Sequence, residues 1–181
     1  MKEKFLNRFS AFELIVIAVI SALGIATKPI IVPLVHIVTG PLFIPGGAVA
    51  GGFYMFWIVL GMGIVKKTGT GFLTGIVQGV LVIALGTMGT HGIMSIVSYT
   101  LPGAAVDLVF LASKDKKYNA LHYVFSCMAA NITGTLISNM LFFRLPFSTV
   151  ILMLSLAALS GALGGLIAYS ISKRLENMEI V

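Results

Sequence analysis

The stretch at residues 147–172, FSTVILMLSLAALSGALGGLIAYSIS, contains no charged side chain and is followed directly by Lys173 and Arg174. An α-helix rises about 1.5 Å per residue, so about 20 apolar residues cross the hydrocarbon core of a bilayer. This stretch exceeds that minimum. It therefore predicts a helix that spans a membrane and ends at a basic boundary facing water.

The rest of the chain has the same apolar character. Of its 181 residues, 58% are hydrophobic and 10% are charged, whereas about 25% are charged in a soluble domain. This composition excludes a soluble enzyme, because one globule of this size cannot hide so much apolar surface. A β-barrel of the outer membrane is excluded as well, because its strands alternate in polarity over about 10 residues. Five more apolar stretches predict spanning helices, at residues 11–27, 43–65, 70–87, 91–112 and 119–142.

The predicted fold is an all-α integral membrane protein with six transmembrane helices, which form a single transmembrane domain over residues 1–181. Most of the 12 Lys and Arg residues lie before the first helix or after the second, fourth and sixth, and only Lys28 and Arg144 lie on the other side. Basic loops stay in the cytoplasm. We therefore expect both termini in the cytoplasm and the protein in the inner membrane. The cytoplasmic loops therefore account for the net charge of +6, and we expect no nucleic-acid partner.

The segment at residues 28–45 falls on the outer side and is unusual in composition. It carries Pro29, Pro33, Pro41 and Pro45 around the apolar run IIVPLVHIV. Because proline interrupts helical hydrogen bonding, the segment is not predicted to be one straight helix. It is also too apolar to move freely in water, which predicts a structured cap over the outer ends of the bundle.

Motifs for enzymatic or nucleotide chemistry are absent from the sequence. It has no G-x-x-x-x-G-K-[ST] phosphate loop, so the chain is not expected to hydrolyse ATP by itself. It has no H-E-x-x-H, G-x-S-x-G or C-x-x-C motif either. The single cysteine, Cys127, excludes a disulfide framework and a metal site built from several cysteines. We expect no catalytic residues, no cofactor and no metal.

Small residues recur every four positions on three of the predicted helices. In a bilayer such rows allow helix backbones to approach closely. We interpret the rows on the third and sixth helices as internal packing surfaces, and the row on the first helix as a docking surface for a partner. The rows are Ala18, Ala22 and Ala26, then Gly71, Gly75 and Gly79, and then Ala157, Gly161 and Gly165.

Polar and aromatic side chains form stripes within the predicted spans, because residues four apart share one helix face. Most of them fall in the outer half of the membrane. Amides, hydroxyls, one imidazole and aromatic rings, with hardly a charge, favour a pocket for a neutral, flat, hydrogen-bonding small molecule. Hydrogen bonding between helices alone is the alternative. The candidate substrate-binding residues are Tyr54, Trp57, Gln78, His91, Ser95, Tyr99, Asn131, Thr135 and Asn139.

Two basic side chains near the outer surface have alternative interpretations. His91 is interpreted as an interfacial hydrogen-bond donor, because its neighbours supply no second strong metal ligand. As the general base of a membrane-embedded enzyme it would need a nucleophile, and Ser95 is the candidate nearby. Arg144 either anchors a helix end or meets a carboxylate or phosphate of a ligand.

Asp107 is the one acidic residue well inside a predicted span, in its cytoplasmic half. It could pair with Lys66 or Lys67, or hold a partner subunit. It could also relay protons, in which case the protein would be a self-sufficient secondary transporter of a small molecule. We favour the structural pairing.

The sequence resembles the substrate-binding S components of energy-coupling factor (ECF) vitamin transporters. The resemblance rests on six predicted helices in a short chain, cytoplasmic termini, no ATPase motif and the alanine row on the first helix. It implies that Ala18, Ala22 and Ala26 dock onto a transmembrane T subunit carried by two ATPase subunits. It also implies that the protein captures a vitamin or a precursor outside and topples within the membrane to release it.

Three segments resemble more specifically the YkoE-like S components, which are associated with thiamine or its hydroxymethylpyrimidine precursor. This resemblance implies a substrate of that kind. The sequence departs from the group in the third helix, where Gly75 and Val82 stand in place of glutamates and only Gln78 is polar nearby. The segments are GPLFIPGGAVAGGFYMFWIVLGMGIVKKTG at 40–69, GAAVDLVFLAS at 103–113 and LSGALGGLIAYSISKRL at 159–175.

Overall fold

Seven α-helices make up the bundle in the part of the chain that the structure describes. This structure is a computed structural model, and it describes residues 5–42, 44, 46–86, 92–113 and 118–178. The helices are α1 (Ala11–Ala26), α2 (Lys28–Thr39), α3 (Gly46–Val65), α4 (Thr70–Leu85), α5 (Ser95–Leu111), α6 (Ala120–Ser138) and α7 (Phe147–Asn177).

Three short helical elements complete the described chain. Phe5–Arg8 and Gly40–Leu42 form 3₁₀ turns, and Asn139–Phe143 continues α6 as a π-helical turn. Every regular element of the described residues is therefore helical, which confirms the predicted all-α class.

Five segments of the described chain are long and apolar enough to cross a membrane. Helix α4 is apolar too but has 16 residues, about 24 Å at the helical rise. The structure thus supports a multi-pass membrane protein, while the sixth span remains a prediction that depends on α4. The five segments are Ala11–Thr39, Gly46–Val65, Gly92–Leu111, Ala120–Phe143 and Phe147–Asn177.

Large apolar side chains cover the outside of the bundle. Phe12 on α1 is 64% exposed, Leu108 on α5 is 68% exposed and Leu163 on α7 is 64% exposed. In water such a surface would be costly, whereas lipid tails solvate it as well as a protein core does. This surface agrees with the predicted membrane location.

Helix α2 is more regular than the sequence predicted for residues 28–45. The chain turns at Thr27 and then forms one α-helix to Thr39, with Pro33 inside it. Pro29 lies in the first turn, where a missing N–H leaves no intrahelical bond unmade. The helix ends where Gly40–Leu42 tightens into a 3₁₀ turn, so the cap is a helix that packs against α3.

Glycines bring the helices into close contact, as predicted for the rows on α4 and α7. A Cβ on Gly75 would lie 2.5 Å from the carbonyl oxygen of Tyr99 on α5. A Cβ on Gly165 would lie 2.5 Å from the carbonyl oxygen of Tyr123 on α6. Both glycines therefore allow backbone-to-backbone packing that a larger residue would block.

Ion pairs gather at one end of the bundle. Lys67, which follows α3, pairs with Glu13 at the start of α1 at 2.7 Å. Lys66 pairs with Glu176 at the end of α7 at 2.5 Å. The start of α1, the connection from α3 to α4 and the end of α7 therefore lie together, and we call this the charged end.

Candidate functional site

A cavity of about 520 Å³ opens at the other end of the bundle, near the start of α3. Helix α2 contributes Lys28, Val32, Val35 and His36 to its wall, and the first turn of α3 contributes Gly46. Helices α4, α5, α6 and α7 supply the remaining sides. The segment predicted as a cap therefore contributes side chains to the wall of the cavity.

Five of the nine candidate substrate-binding residues line this cavity. They bring together two phenol rings, two carboxamides and one hydroxyl from four different helices. The side chains of Ser98 and Ser138 lie on the same wall. The five residues are Tyr54, Gln78, Tyr99, Asn131 and Thr135.

Two further candidates point elsewhere. Trp57 lies one turn beyond Tyr54 on α3, but its ring faces α1, where a Cβ on Gly24 would lie 3.3 Å from the indole Cγ. Its indole N–H is buried and has no hydrogen-bond partner among the described residues. Ser95 is fully buried, and its carbonyl oxygen lies 3.2 Å from where a Cβ on Gly79 would stand. Both residues therefore pack between helices rather than against the cavity.

Asn139 and His91 complete the set of candidates. Asn139 begins the π-helical turn, and its Oδ1 accepts a hydrogen bond from the backbone N–H of Leu145 at 3.0 Å. It is therefore a cap of the turn and does not line the cavity. His91 lies outside the described residues.

Asn131 is a structural member of the cavity wall. Its Nδ2 donates hydrogen bonds to the carbonyl oxygens of Ala48 on α3, at 3.1 Å, and Ala157 on α7, at 2.8 Å. A Cβ on Gly51 would overlap its Oδ1. Asn131 therefore holds three helices together at the cavity, and the predicted alternative of interhelical hydrogen bonding applies to its amide group.

Lys28 is the functional candidate that sequence reasoning missed. Its side chain is 7% exposed, and its Nζ donates a hydrogen bond to the phenol oxygen of Tyr99. The same ammonium lies 4.1 Å from the ring centroid of Tyr99 and 4.8 Å from that of Tyr54. The available signal is a lone cation inside an otherwise apolar stretch.

The favoured pairing of Asp107 with Lys66 or Lys67 is wrong, because these lysines pair with Glu176 and Glu13 instead. The Oδ1 of Asp107 accepts hydrogen bonds from the backbone N–H groups of Gly69 and Gly71, each at 3.1 Å. It therefore caps the start of α4, because the first N–H groups of a helix lack partners within the helix. This role accounts for its burial without proton transfer, so the secondary-transporter alternative is not supported.

Arg144 does not line the cavity either. It is exposed and adopts a left-handed backbone, with φ of 49°, directly after the π-helical turn. Its geometry is that of a residue at a helix end.

The alanine row lies on the outer face of the bundle. Ala18, Ala22 and Ala26 are all exposed, whereas Ile17 and Ile25 on the same helix are buried against the bundle. The three methyl groups therefore leave a shallow, accessible strip on the surface of α1.

Residues 12–133 match the model of a protein family described as the permease component of an ABC-type cobalt transport system. The match covers well over half of the chain. The chain belongs to this family. A search among curated proteins finds no match of significance for the chain.

A solved structure described as the crystal structure of an S-component of an ECF transporter is similar to this member of the cobalt permease family. The TM-score is 0.79 at 20% sequence identity, and the alignment covers 95% of this chain and 88% of the other. At this identity the likeness shows the fold, which is all-helical as predicted. Family and fold are those of transport proteins, not of enzymes.

Proposed function

We propose that this chain is the substrate-binding S component of an ECF-type ABC importer. In this proposal it captures a small, water-soluble organic molecule in the cavity and delivers it to a T subunit and two ATPase subunits. The observation that carries the proposal is the cavity of about 520 Å³ with convergent polar groups. Ligand sites commonly have volumes of about 300–1,000 Å³ with a few polar groups that fix orientation.

An organic molecule suits the cavity better than a metal cation, although the family description names cobalt. No three His, Cys, Asp or Glu side chains gather into a metal site within the described residues. The ammonium of Lys28 in the wall would also repel a divalent cation. The cargo we propose is therefore a vitamin or a vitamin precursor.

Thiamine and hydroxymethylpyrimidine, the substrates implied by the YkoE-like resemblance, differ in their fit to the cavity. Thiamine carries a permanent positive charge, which Lys28 would oppose, and no acidic side chain is among the described residues of the wall. A flat ring without a positive charge can accept hydrogen bonds from Lys28 and Gln78 while it contacts the phenol ring of Tyr54. We therefore favour a cargo without a cationic centre.

We propose that the chain spans the inner membrane six times and that both termini lie in the cytoplasm. Helix α4 runs antiparallel to α5, since Gly71 lies against Gly103 and Gly79 lies against Ile96. This packing supports α4 as a short sixth span. The charged end holds Lys66 and Lys67, and basic groups favour the cytoplasmic side.

The exposed strip formed by Ala18, Ala22 and Ala26 is the proposed docking surface for the T subunit. Small side chains at four-residue spacing allow another helix to approach the backbone of α1. The exposure of all three alanines supports this assignment.

Native mass spectrometry of the purified protein, released from detergent, tests the binding role. We expect a retained organic molecule in the wild type and its loss in Val32→Phe, which adds bulk at the cavity wall. The matched control is Ile30→Phe on the same helix, because Ile30 is 64% exposed and does not line the cavity. Equal retention by both variants would contradict the cavity as the binding site.

A further inference from the structure

One lysine side chain, Lys28, is buried in the cavity wall without an acidic partner among the described residues. Lys28 is the sole Lys or Arg among the described wall residues, and none of those residues is Asp or Glu. Its polar partner is the neutral phenol of Tyr99. The rings of Tyr54 and Tyr99 present their π-faces to the ammonium, which stabilises a cation but does not cancel its charge.

The described carboxylates are all engaged at the charged end. Glu13 pairs with Lys67, and Glu176 pairs with Lys66. The carboxylate of Asp107 accepts backbone hydrogen bonds from the start of α4. None of these groups is therefore available to Lys28.

A buried charge without a counter-charge is costly, and buried charges in proteins are normally paired. The cost at Lys28 is reduced when a ligand brings a negative charge to the ammonium. A carboxylate or phosphate next to an ammonium also forms a charge-assisted hydrogen bond, which is stronger than a neutral one.

The first turn of α3 adds backbone N–H groups, which carry partial positive charge, to the cavity wall. Gly46, Gly47 and Ala48 line the cavity, and they belong to the turn whose backbone N–H groups have no acceptor within the helix. The positive end of the helix dipole also favours an anion there. These groups lie on the same cavity as Lys28 and reinforce its preference.

We propose that the cavity selects a water-soluble organic anion, with a carboxylate or phosphate group, and that Lys28 is the residue that recognises this group. The inference rests on the proposed function of the chain as a substrate-binding subunit. It gives that function a substrate class and a specificity-determining residue.

Pairs of related probes, in which one member carries an anionic group and the other a neutral group in its place, test this proposal with the intact protein. The pairs are nicotinate with nicotinamide, pantothenate with pantothenol, and pyridoxine 5′-phosphate with pyridoxine, and thiamine serves as a cationic probe. Binding is measured by the shift in melting temperature and by titration in detergent. We expect the anion of at least one pair to bind about tenfold more tightly than its neutral partner, as one charge-assisted hydrogen bond allows.

The variant Lys28→Gln keeps a hydrogen-bond donor but removes the charge. We expect it to lose the preference for the anion, with a fall of about tenfold in affinity for that probe and little change for the neutral partner. Arg144→Gln is the matched control, because it removes an exposed cation that does not line the cavity. It should leave the preference unchanged.

Several results would overturn the anion proposal. In the first, no anion binds to the wild type more tightly than its neutral partner. In the second, thiamine binds more tightly than the anions. In the third, the preference for the anion survives Lys28→Gln. The comparison within each pair needs no variant, so it decides the question even if Lys28→Gln fails to fold. A retained phospholipid, recognised by its mass and lost in Lys28→Gln, would also contradict a water-soluble ligand.

Failure of this inference can be separated from failure of the proposed function. If thiamine or a neutral probe binds and Val32→Phe abolishes that binding, the substrate-binding role remains and the anion selectivity is wrong. If no probe binds and no organic molecule is retained on the purified protein, both proposals are wrong.

Discussion

The carboxylate of Asp107 accepts a hydrogen bond from the backbone N–H of Phe72 at 2.8 Å. The contact joins the cytoplasmic half of α5, in the proposed orientation, to the first turn of α4. Together with the bonds from Gly69 and Gly71, it satisfies donors that a helix start leaves free. An acidic residue that sequence reasoning could assign to proton transport is thus accounted for by helix capping.

Asp107→Ala is expected to destabilise the protein. It leaves two buried N–H groups and one partly buried N–H group without their acceptor, and each buried unsatisfied group costs about 1–3 kcal/mol. We expect a free energy of unfolding lower by at least about 2 kcal/mol, seen as a lower melting temperature in detergent. Asp107→Asn keeps one acceptor oxygen and should lose less. A fully stable Asp107→Asn protein that has lost all uptake would instead point to proton relay.

Gly51→Ala is expected to disrupt the junction of α3 with Asn131. The added Cβ would overlap Oδ1 of Asn131, and overpacking of this kind costs about 1–3 kcal/mol. Gly61→Ala on the same helix is the control, because its Cβ would meet Ile20 and Thr74 at 3.6 Å, an ordinary contact. Melting temperatures should fall for Gly51→Ala and hold or rise for Gly61→Ala. Equal effects would refute the close packing at Gly51.

A double-mutant cycle between Gly51→Ala and Asn131→Ala isolates this contact. Because the overlap requires the Asn131 amide, Gly51→Ala should cost less in the Asn131→Ala background. Additive losses would show that the two side chains do not interact.

Gly75→Ala is expected to weaken ligand retention as well as stability. Its Cβ would lie 2.5 Å from the carbonyl oxygen of Tyr99 and 2.9 Å from Cα of Thr100. Both are backbone atoms, so α5 must shift, and Tyr99 lines the cavity. Native mass spectrometry should find less bound molecule on Gly75→Ala than on Gly61→Ala. If Gly75→Ala retained as much bound molecule as the wild type, the packing of α4 against α5 would not influence ligand binding.

Ala22→Trp is expected to block assembly with the T subunit while folding is preserved. Ala22 is exposed on α1, so an indole there fits in lipid but keeps a partner helix away from the backbone. Leu163→Trp, on the exposed face of α7, is the control and should assemble normally. Affinity purification of the co-expressed complex measures the effect, and full assembly of Ala22→Trp would rule out the docking role.

Hydropathy predicted the helices because a long apolar segment in lipid must satisfy its own backbone hydrogen bonds, and an α-helix does so within the segment. The boundaries at 11–27 and 119–142 came close to α1 and to α6 with its π-helical turn. Residues 28–39 were harder to predict, since the effect of a proline depends on its place in the helix. Pro29 stands in the first turn, and Pro33 is tolerated inside α2.

The cavity was predictable only as far as helical periodicity holds. Tyr99 and Thr135 line it as their stripes predicted. Asn139 belongs to a π-helical turn, which rotates side chains away from the four-residue register. Lys28 could not be placed from sequence, because its burial depends on how α2 folds against Tyr54 and Tyr99.

Solute accumulation in proteoliposomes is the most direct test of a receptor that depends on partner subunits for energy. The purified chain is reconstituted alone or with the T subunit and two ATPase subunits, and uptake of the molecule identified by native mass spectrometry is followed. We predict that the chain alone binds but does not accumulate the molecule, even with a proton gradient, and that the complete complex with ATP does. Accumulation against a gradient by the isolated chain would contradict this account.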